Sequence, residues 1–292
     1  MRIRIGMMVM LLALPAAAQD FDAVEIKASR VSGHVWMLEG AGGTLGVSAG
    51  EDGIFLIDDQ YAPLSVKILA AIAKIQEGPV NFVLNTHWHG DHVGGNENIG
   101  KTGSLIVAHD NVRARMSTDQ FLEFLERDVP ASPEAALPVV TFSDTVTFHI
   151  NGDTLHVVHV PHAHTDGDSL VHFAKADVIH MGDLYFSGMY PFIDLGSGGS
   201  VGGLIAGIEK ALALSGADTR FIAGHGPGSG REGLAAYLKM IRTVRDRVAD
   251  LKKAGKTLEE AVAAKPTADL DETWGQGWIQ GDQFVEFIYR SL

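Results

Sequence analysis

Cysteine is absent from the 292 residues, which excludes disulfide bonds and thiolate metal ligands. Positive charge is scarce as well, because 23 lysines and arginines stand against 36 aspartates and glutamates, for a net charge of −13. Such an acidic chain repels polyphosphates, so we expect no nucleic-acid partner. Beyond the first 18 residues no apolar run is long enough to cross a bilayer, so we expect no membrane span.

The first 18 residues have the pattern of a secretory signal peptide. Residues 1–4 are basic, residues 5–14 are apolar, and three alanines at 16–18 offer a cleavage site. Cleavage after Ala18 removes Arg2 and Arg4, so the net charge of −13 becomes −15. We therefore predict a signal peptide over residues 1–18 and a mature protein that is periplasmic or secreted. The lack of cysteine suits an oxidising compartment.

The rest of the chain alternates strand-like and helical patterns in two halves that divide near Asn151. No linker, low-complexity tract or short repeat interrupts the pattern, so residues 19–292 are expected to form one domain. For residues 118–137 we expect a helix followed by a loop. Continuous apolar runs predict buried strands, and 3.6-residue spacing predicts helices. The clearest strands are 53–57 and 80–84, and the clearest helices are 64–75, 201–214, 234–251 and 282–292.

The run from His87 to His92 places four metal-binding side chains in six residues, directly after a predicted strand. Alternation along an extended chain puts His87 and His89 on the same side, where both can bind one ion. Asp91 and His92 follow as the chain turns and can face a second ion. Imidazole and carboxylate suit borderline divalent metals, zinc first among them, without deciding between zinc, iron and manganese. A histidine-rich polar turn is the alternative, which this number of ligands at this spacing disfavours.

This motif resembles the HxHxDH signature of the metallo-β-lactamase superfamily, and later elements of that signature follow in order over about residues 31–225. They are His164 in an HTDGD turn, Asp183 after Gly182, and His225 between two glycines. The resemblance implies an α/β (α+β) fold, a four-layer αββα sandwich with two zinc ions per chain. It assigns His87, His89 and His164 to the first ion, Asp91, His92 and His225 to the second, and Asp183 to a position between them. His162 is the alternative to His164.

Other residues near this centre are expected from their positions after strands or in loops. Asp58 ends a predicted buried strand and could accept a hydrogen bond from a ligand imidazole, or could be a turn residue. Arg231 is a candidate anchor for a substrate carboxylate or the start of a long helix. An aromatic pocket wall is predicted, with ordinary core packing as the alternative, from Trp88, Tyr185, Phe186, Tyr190 and Phe192.

Two ions sharing a water would lower its pKa from about 15.7 toward 7 and supply hydroxide for hydrolysis. Asp91 is the expected catalytic residue, which orients that water and shuttles its proton. Together with export, the resemblance predicts a monomeric zinc β-lactamase acting on a small-molecule antibiotic, hence antibiotic resistance.

Several alternatives stay open beside the β-lactamase. Asp183 stands where many metallo-β-lactamases carry Cys or Ser, and Phe186 where some carry a substrate-binding Lys. A glyoxalase II-like thioesterase, or a lactonase or esterase of the same fold, is therefore the main alternative. A nuclease conflicts with the acidic charge, and an iron-dependent persulfide oxygenase would leave Asp183 or His225 unused. A non-catalytic periplasmic metal-binding protein is the alternative of a different class.

Overall fold

The computed structural model describes residues 20–292, so the predicted signal peptide lies outside the described residues. The strands are β1 (Lys27–Ser32), β2 (Val35–Glu39), β3 (Leu45–Gly50), β4 (Gly53–Ile57), β5 (Val80–Asn85), β6 (Leu105–His109), β7 (Gln120–Leu122), β8 (Arg127–Val129), β9 (Val140–Phe142), β10 (Thr145–Ile150), β11 (Asp153–His159), β12 (Ser169–Phe173), β13 (Val178–His180), β14 (Arg220–Ile222) and β15 (Ser229–Gly230). The helices are α1 (Ser65–Ile75), α2 (Gly90–Val93), α3 (Asn96–Gly100), α4 (Asp110–Met116), α5 (Val201–Leu214), α6 (Arg231–Lys253), α7 (Leu258–Ala263), α8 (Asp271–Trp274) and α9 (Gly281–Ser291).

Two large sheets form the centre of the fold. The first has the order β1-β2-β3-β4-β5-β6-β9, and the second has the order β10-β11-β12-β13-β14-β15. Their facing sides share one apolar cluster, in which Phe55 and Leu84 of the first sheet join Val157 and Val171 of the second. Burying one face of each sheet in this way stabilises the pair, because both faces are otherwise apolar surface in water.

Helices cover the outer face of each sheet. Helix α1 packs Ile68 and Ile72 onto the first sheet, while α5, α6 and α9 cover the second through residues such as Leu204, Ile241 and Phe284. Ser200 caps α5, because its side chain accepts a hydrogen bond from the Gly203 amide. The predicted αββα sandwich is confirmed. Within residues 20–292, no helix combines the length and the apolar character needed to cross a membrane.

Parallel pairing in the first sheet determines where the metal-binding motif emerges. Strands β4, β5 and β6 are parallel neighbours, with Ile57 opposite Leu84 and Leu84 opposite Val107. The carboxyl ends of these strands therefore lie at the same edge, as in other sheets where sites form beyond the strand ends. Asp58 leaves β4 at this edge and the HxHxDH motif leaves β5 beside it.

Two expectations about elements were wrong. Residues 118–137 contain the small β7–β8 hairpin and two short 3-10 turns instead of a helix. Glu126 at the hairpin bend has a φ of +48°, which a helix cannot accommodate. The halves divide before β10 and not near Asn151, because Asn151 and Gly152 form the positive-φ turn between β10 and β11.

Candidate metal centre

Loops at the ends of four strands carry the predicted ligands. His87 and His89 lie in the loop after β5, and the short helix α2 carries Asp91 and His92. The remaining three come from more distant parts of the second sheet: His164 between β11 and β12, Asp183 in a 3-10 turn after β13, and His225 after β14. The fold therefore gathers residues that are far apart in sequence at one edge of the sandwich.

The seven side chains form two adjoining groups. One group contains His87, His89, His164 and Asp183, and the other contains Asp91, His92 and His225. Within each group, one nitrogen or oxygen atom of every residue lies within 4.8 Å of the others. Apart from Asp183, which the resemblance places between the two ions, these are the two sets of residues that it assigns to them.

Asp183 lies between the two groups. Its Oδ2 atom is 3.5 Å from Nε2 of His164 and 3.3 Å from Nε2 of His225. Its Oδ1 atom is 3.1 Å from Nε2 of His92. The carboxylate thus contacts both sets at once, since Oδ2 faces His164 and His225 while Oδ1 faces His92. This is the arrangement expected of a bridging ligand.

Unsatisfied buried atoms indicate that these residues fit a divalent metal ion. Among residues 20–292, His87 Nε2 is buried without a hydrogen-bond partner, and His92 Nε2 and Asp183 Oδ1, although 3.1 Å apart, lack hydrogen-bond geometry. Leaving such atoms unpaired is costly unless another group binds them. In addition, His89 Nδ1 and His164 Nε2 lie 2.9 Å apart. Two neutral imidazole lone pairs at this distance repel each other unless a proton or a cation lies between them. The nitrogen and oxygen donors suit zinc, iron and manganese alike.

The electrostatics of the first group favour neutral imidazoles, the form that binds metals. Burial, together with the neighbouring His92, lowers the pKa of His87 well below its ordinary value. Burial likewise lowers the pKa of His164 to about 4. Both imidazoles are therefore neutral near pH 7, with one ring nitrogen carrying a proton and the other free to bind metal.

Asp183 and the second group combine charged carboxylates with protonated imidazoles. Burial alone would raise the pKa of Asp183, but His225, His92 and His87 outweigh it and lower the pKa well below its usual range. His92 and His225 similarly lower the pKa of Asp91 to about 2, against the effect of burial. Burial disfavours protonated His225, but Asp183 and Asp91 raise its pKa to about 9. A metal ion entering this group must displace that proton.

Asp58 orients two of the ligands. Its Oδ2 atom is 2.7 Å from Nδ1 of His92 and also accepts a hydrogen bond from the Thr86 hydroxyl. That hydroxyl lies 3.1 Å from Nδ1 of His87. The Nε2 atoms of both histidines are thereby left free to face the centre. The structure thus places Asp58 where hydrogen bonding to a ligand was expected.

The segment after β13 contacts the other two imidazoles of the first group, which the sequence did not predict. Asp194 Oδ2 is 2.9 Å from Nε2 of His89, and the Phe192 carbonyl is 2.9 Å from Nδ1 of His164. Asp194 is a single aspartate in an apolar and glycine-rich stretch. No local spacing ties it to the HxHxDH motif, which lies more than 100 residues earlier.

The structure distinguishes His164 from its alternative His162. His164 is fully buried in the first group, whereas His162 is exposed and its Nδ1 faces the Gly198 carbonyl.

Arg231 donates to the Leu212 carbonyl at the end of α5. It does not line the cavity beside the metal ligands, so it is not placed to hold a substrate carboxylate there.

A cavity of about 310 Å³ opens onto the two groups. Four of the seven predicted ligands line it: His89, Asp91, Asp183 and His225. The other walls combine apolar side chains with one phenol and one guanidinium, namely Leu122, Leu125, Phe192, Trp278, Tyr61 and Arg127. Leu122, Leu125 and Arg127 come from the β7–β8 hairpin and its bend, the region predicted as a helix.

Four of the five aromatic residues expected at the pocket wall lie elsewhere. Tyr185 and Tyr190 are core residues, packed on Tyr237 and Phe284 respectively. Phe186 stacks on the His225 ring at 5.0 Å and supports that ligand from behind. The indole of Trp88 is buried and donates to the Ser197 hydroxyl. Of the predicted set, Phe192 alone lines the cavity.

Comparison with known proteins agrees with this geometry. The family model described as the metallo-beta-lactamase superfamily matches residues 32–232. This chain belongs to the metallo-β-lactamase superfamily. The resemblance inferred from the HxHxDH motif is therefore confirmed, as is the coarse prediction of a hydrolase of this superfamily.

Individual relatives within and around the superfamily are distant. A hydroxyacylglutathione hydrolase from Erythrobacter litoralis (strain HTCC2594) is 30% identical over 116 residues, which are 39% of this chain and 38% of that protein. A metallo-beta-lactamase from Pontibacter korlensis has a TM-score of 0.62 at 19% identity, over 75% of this chain and 99% of the other. The stereoselective inverting sec-alkylsulfatase Pisa1 from Pseudomonas sp. has a TM-score of 0.70 at 18% identity, over 91% of this chain and 50% of the other. The two structures show the fold alone.

Proposed function

We propose that this superfamily member is an exported hydrolase that uses two divalent metal ions, zinc first among them, to open β-lactams. The observation that carries the proposal is the cavity itself. It is lined by residues of both metal groups, by Arg127 and by apolar side chains. The signal peptide predicted for residues 1–18 would bring the protein to the compartment that β-lactams enter.

The chain's own residues would hold the ions as the two groups suggest. His87, His89 and His164 would bind one, Asp91, His92 and His225 the other, and Asp183 both. Ions bound there supply Lewis acidity and lower the pKa of water toward neutrality. Because the cavity reaches ligands of both groups, substrate has access to the centre. This access favours an enzyme over a metal carrier with a closed site.

Asp91 is the residue placed to handle the proton of the attacking water. It lines the cavity, and its Oδ2 atom is 3.3 Å from Nε2 of His225. In hydrolysis, the water oxygen bonds to the carbonyl carbon, the carbon–nitrogen bond breaks, and a proton goes to the nitrogen. The Asp91 carboxylate can accept a hydrogen bond from that water, orient it and pass its proton on.

Arg127 provides the charge that a β-lactam carboxylate needs. Its side chain is exposed on β8 and lines the cavity. Guanidinium binds carboxylate through paired hydrogen bonds. Arg127 can therefore bind the substrate carboxylate, as a lysine does in some relatives at the position that Phe186 occupies in this chain. Leu122, Leu125 and Trp278 would then contact the apolar parts of the antibiotic. A compact monoanion with an apolar substituent fits this combination.

Thioester hydrolysis is the second candidate, favoured by the match to the hydroxyacylglutathione hydrolase. Glutathione thioesters carry two carboxylates, whereas Arg127 is the one lysine or arginine among the described residues that line the cavity. The single cation therefore favours the β-lactam.

A hydrolysis screen separates the candidates. The purified, zinc-loaded protein is assayed on a penicillin, a carbapenem, a lactone and S-lactoylglutathione, each with and without chelator. We expect chelator-sensitive opening of at least one β-lactam, greatly reduced in Asp91→Asn. Asp269→Asn, a change at an exposed aspartate paired with Arg247, is the matched control and should retain activity. Turnover of the thioester or lactone with none of the β-lactams would overturn the substrate proposal.

A further inference from the structure

The short segment from Phe192 to Asp194 contacts two of the first group's imidazoles. The Phe192 carbonyl accepts from Nδ1 of His164, and the Phe192 ring stacks on His89 with centroids 5.8 Å apart. The Asp194 carboxylate faces Nε2 of His89 at 2.9 Å. The backbone amide of Asp194 also donates to the His164 carbonyl at 2.9 Å. One loop thus controls the orientation of both rings.

Asp194 is itself held by a chain of hydrogen bonds. The Ser197 hydroxyl donates to its Oδ2 atom at 2.6 Å, and the Ser197 amide donates to its Oδ1 atom at 3.1 Å. Trp88 in turn donates from Nε1 to the same hydroxyl at 3.2 Å. A buried and restrained carboxylate therefore faces one ring nitrogen of His89.

We propose that Asp194 is a positioning residue that makes His89 bind metal through Nδ1. A carboxylate at Nε2 keeps the proton on that nitrogen and leaves the lone pair on Nδ1, 2.9 Å from Nε2 of His164. The negative charge also makes the imidazole a stronger donor. Asp194 thus supports the group of His87, His89 and His164, as Asp58 supports His92 in the other group. The inference rests on the proposed metal centre but not on the substrate.

Metal affinity measured separately for the two groups tests this role. Zinc binding to Asp194→Asn and Asp58→Asn is measured by competition with a chromophoric chelator, and cobalt spectra show which group has lost its ion. Asp194→Asn retains a hydrogen-bond acceptor but removes the negative charge of the carboxylate. We expect about 10–100-fold weaker binding at the His87 group alone in Asp194→Asn. Asp58→Asn should weaken binding at the His92 group, which Asp58 contacts directly, and also affect His87 through Thr86. Unchanged affinity at the His87 group in Asp194→Asn would overturn the proposal.

The tautomer of His89 gives a readout independent of activity. Histidine nitrogen NMR of the metal-free protein, assigned with His89→Gln, should show the proton on Nε2 in wild type. In Asp194→Ala it should shift toward Nδ1, and an unshifted proton would count against the proposal. If Asp194→Ala does not fold, Ser197→Ala loosens the carboxylate instead and should give a smaller loss of zinc affinity at the same group. Unchanged zinc affinity at that group in Ser197→Ala would then overturn the proposal. If the wild type does not hydrolyse β-lactams but Asp194→Asn still weakens zinc binding, only the substrate proposal is overturned.

Discussion

The Asp183 carboxylate lies 3.3 Å from Nε2 of His225, and both atoms are aimed into the space where the two ligand groups meet. In the metal-free protein the two side chains form an ion pair that raises the pKa of His225 to about 9. Protons and metal ions therefore compete for the same atoms. This competition makes the stability of the protein depend on both pH and metal.

The metal-free protein should lose stability as the pH rises from about 6.5 to 9. A raised folded-state pKa means that the ion pair of His225 stabilises fully below its unfolded pKa of 6.5 and no longer does so above about 9. His92, whose pKa is also raised, contributes with the same sign. His87 and His164 have lowered pKa values, so they change the pH dependence of stability mainly below pH 6.5. Thermal unfolding across pH 6–9.5 measures the trend.

Adding zinc should reverse this trend, because deprotonated His225 binds the ion more tightly at higher pH. The control is His225→Gln, which should flatten the slope of the metal-free protein. A metal-free melting temperature that rises steadily from pH 6.5 to 9 would contradict the assignment.

Elemental analysis should find close to two metal ions per chain. Removing Asp183 in Asp183→Ala should weaken binding at both groups, because its carboxylate contacts imidazoles of both. In contrast, His87→Ala should weaken mainly the ion of its own group. Asp128→Ala, an exposed change on β8, serves as the control. One ion per chain in wild type, with His92→Ala and His225→Ala fully active, would exclude the dinuclear centre.

Replacing Arg127 should weaken substrate binding more than it slows the chemistry. Losing a hydrogen bond to a charged group costs about 1.5–3 kcal/mol, so Arg127→Ala should raise KM for a penicillin at least about tenfold, with kcat changed less. Arg127→Lys should retain part of the affinity. Arg242→Ala, an exposed arginine on α6 paired with Glu209, is the matched control. Equal KM values for Arg127→Ala and Arg242→Ala would show that the anchor lies elsewhere.

Trp278 should select for apolar substituents on the substrate. It is 48% exposed at the cavity, with its ring 5.3 Å from that of Phe192. Trp278→Ala should therefore leave the melting temperature nearly unchanged. Its KM should rise for a penicillin with an aromatic side chain and rise much less for a small carbapenem. Leu214→Ala, another exposed apolar change, is the comparison, and an equal effect on both substrates would count against this contact.

Export is testable at the amino terminus. Protein recovered from the source cell should begin at or next to Gln19, because the three alanines before it form the predicted cleavage site. Mass spectrometry of the intact protein from separated periplasmic and cytosolic fractions gives the answer. A full-length chain confined to the cytosol would overturn the export proposal.

The sequence by itself was sufficient to predict the strand, the turn and the candidate metal-binding residues of the HxHxDH motif. These depend on local rules: an apolar run becomes a buried strand, and alternation puts His87 and His89 on one side. Motif order then added His164, Asp183 and His225, which the structure brings together with them.

Only the tertiary structure decided which residues surround that centre. Tyr185 and Phe192 both follow β13, yet Tyr185 is buried on Tyr237 while Phe192 faces the cavity. Arg127 reaches the cavity because residues 120–129 form a hairpin, and Asp194 reaches His89 across 105 positions of sequence. Side-chain direction and long-range contact depend on how sheets and loops pack. That packing arises from the burial of many apolar residues at once, and no local pattern encodes it.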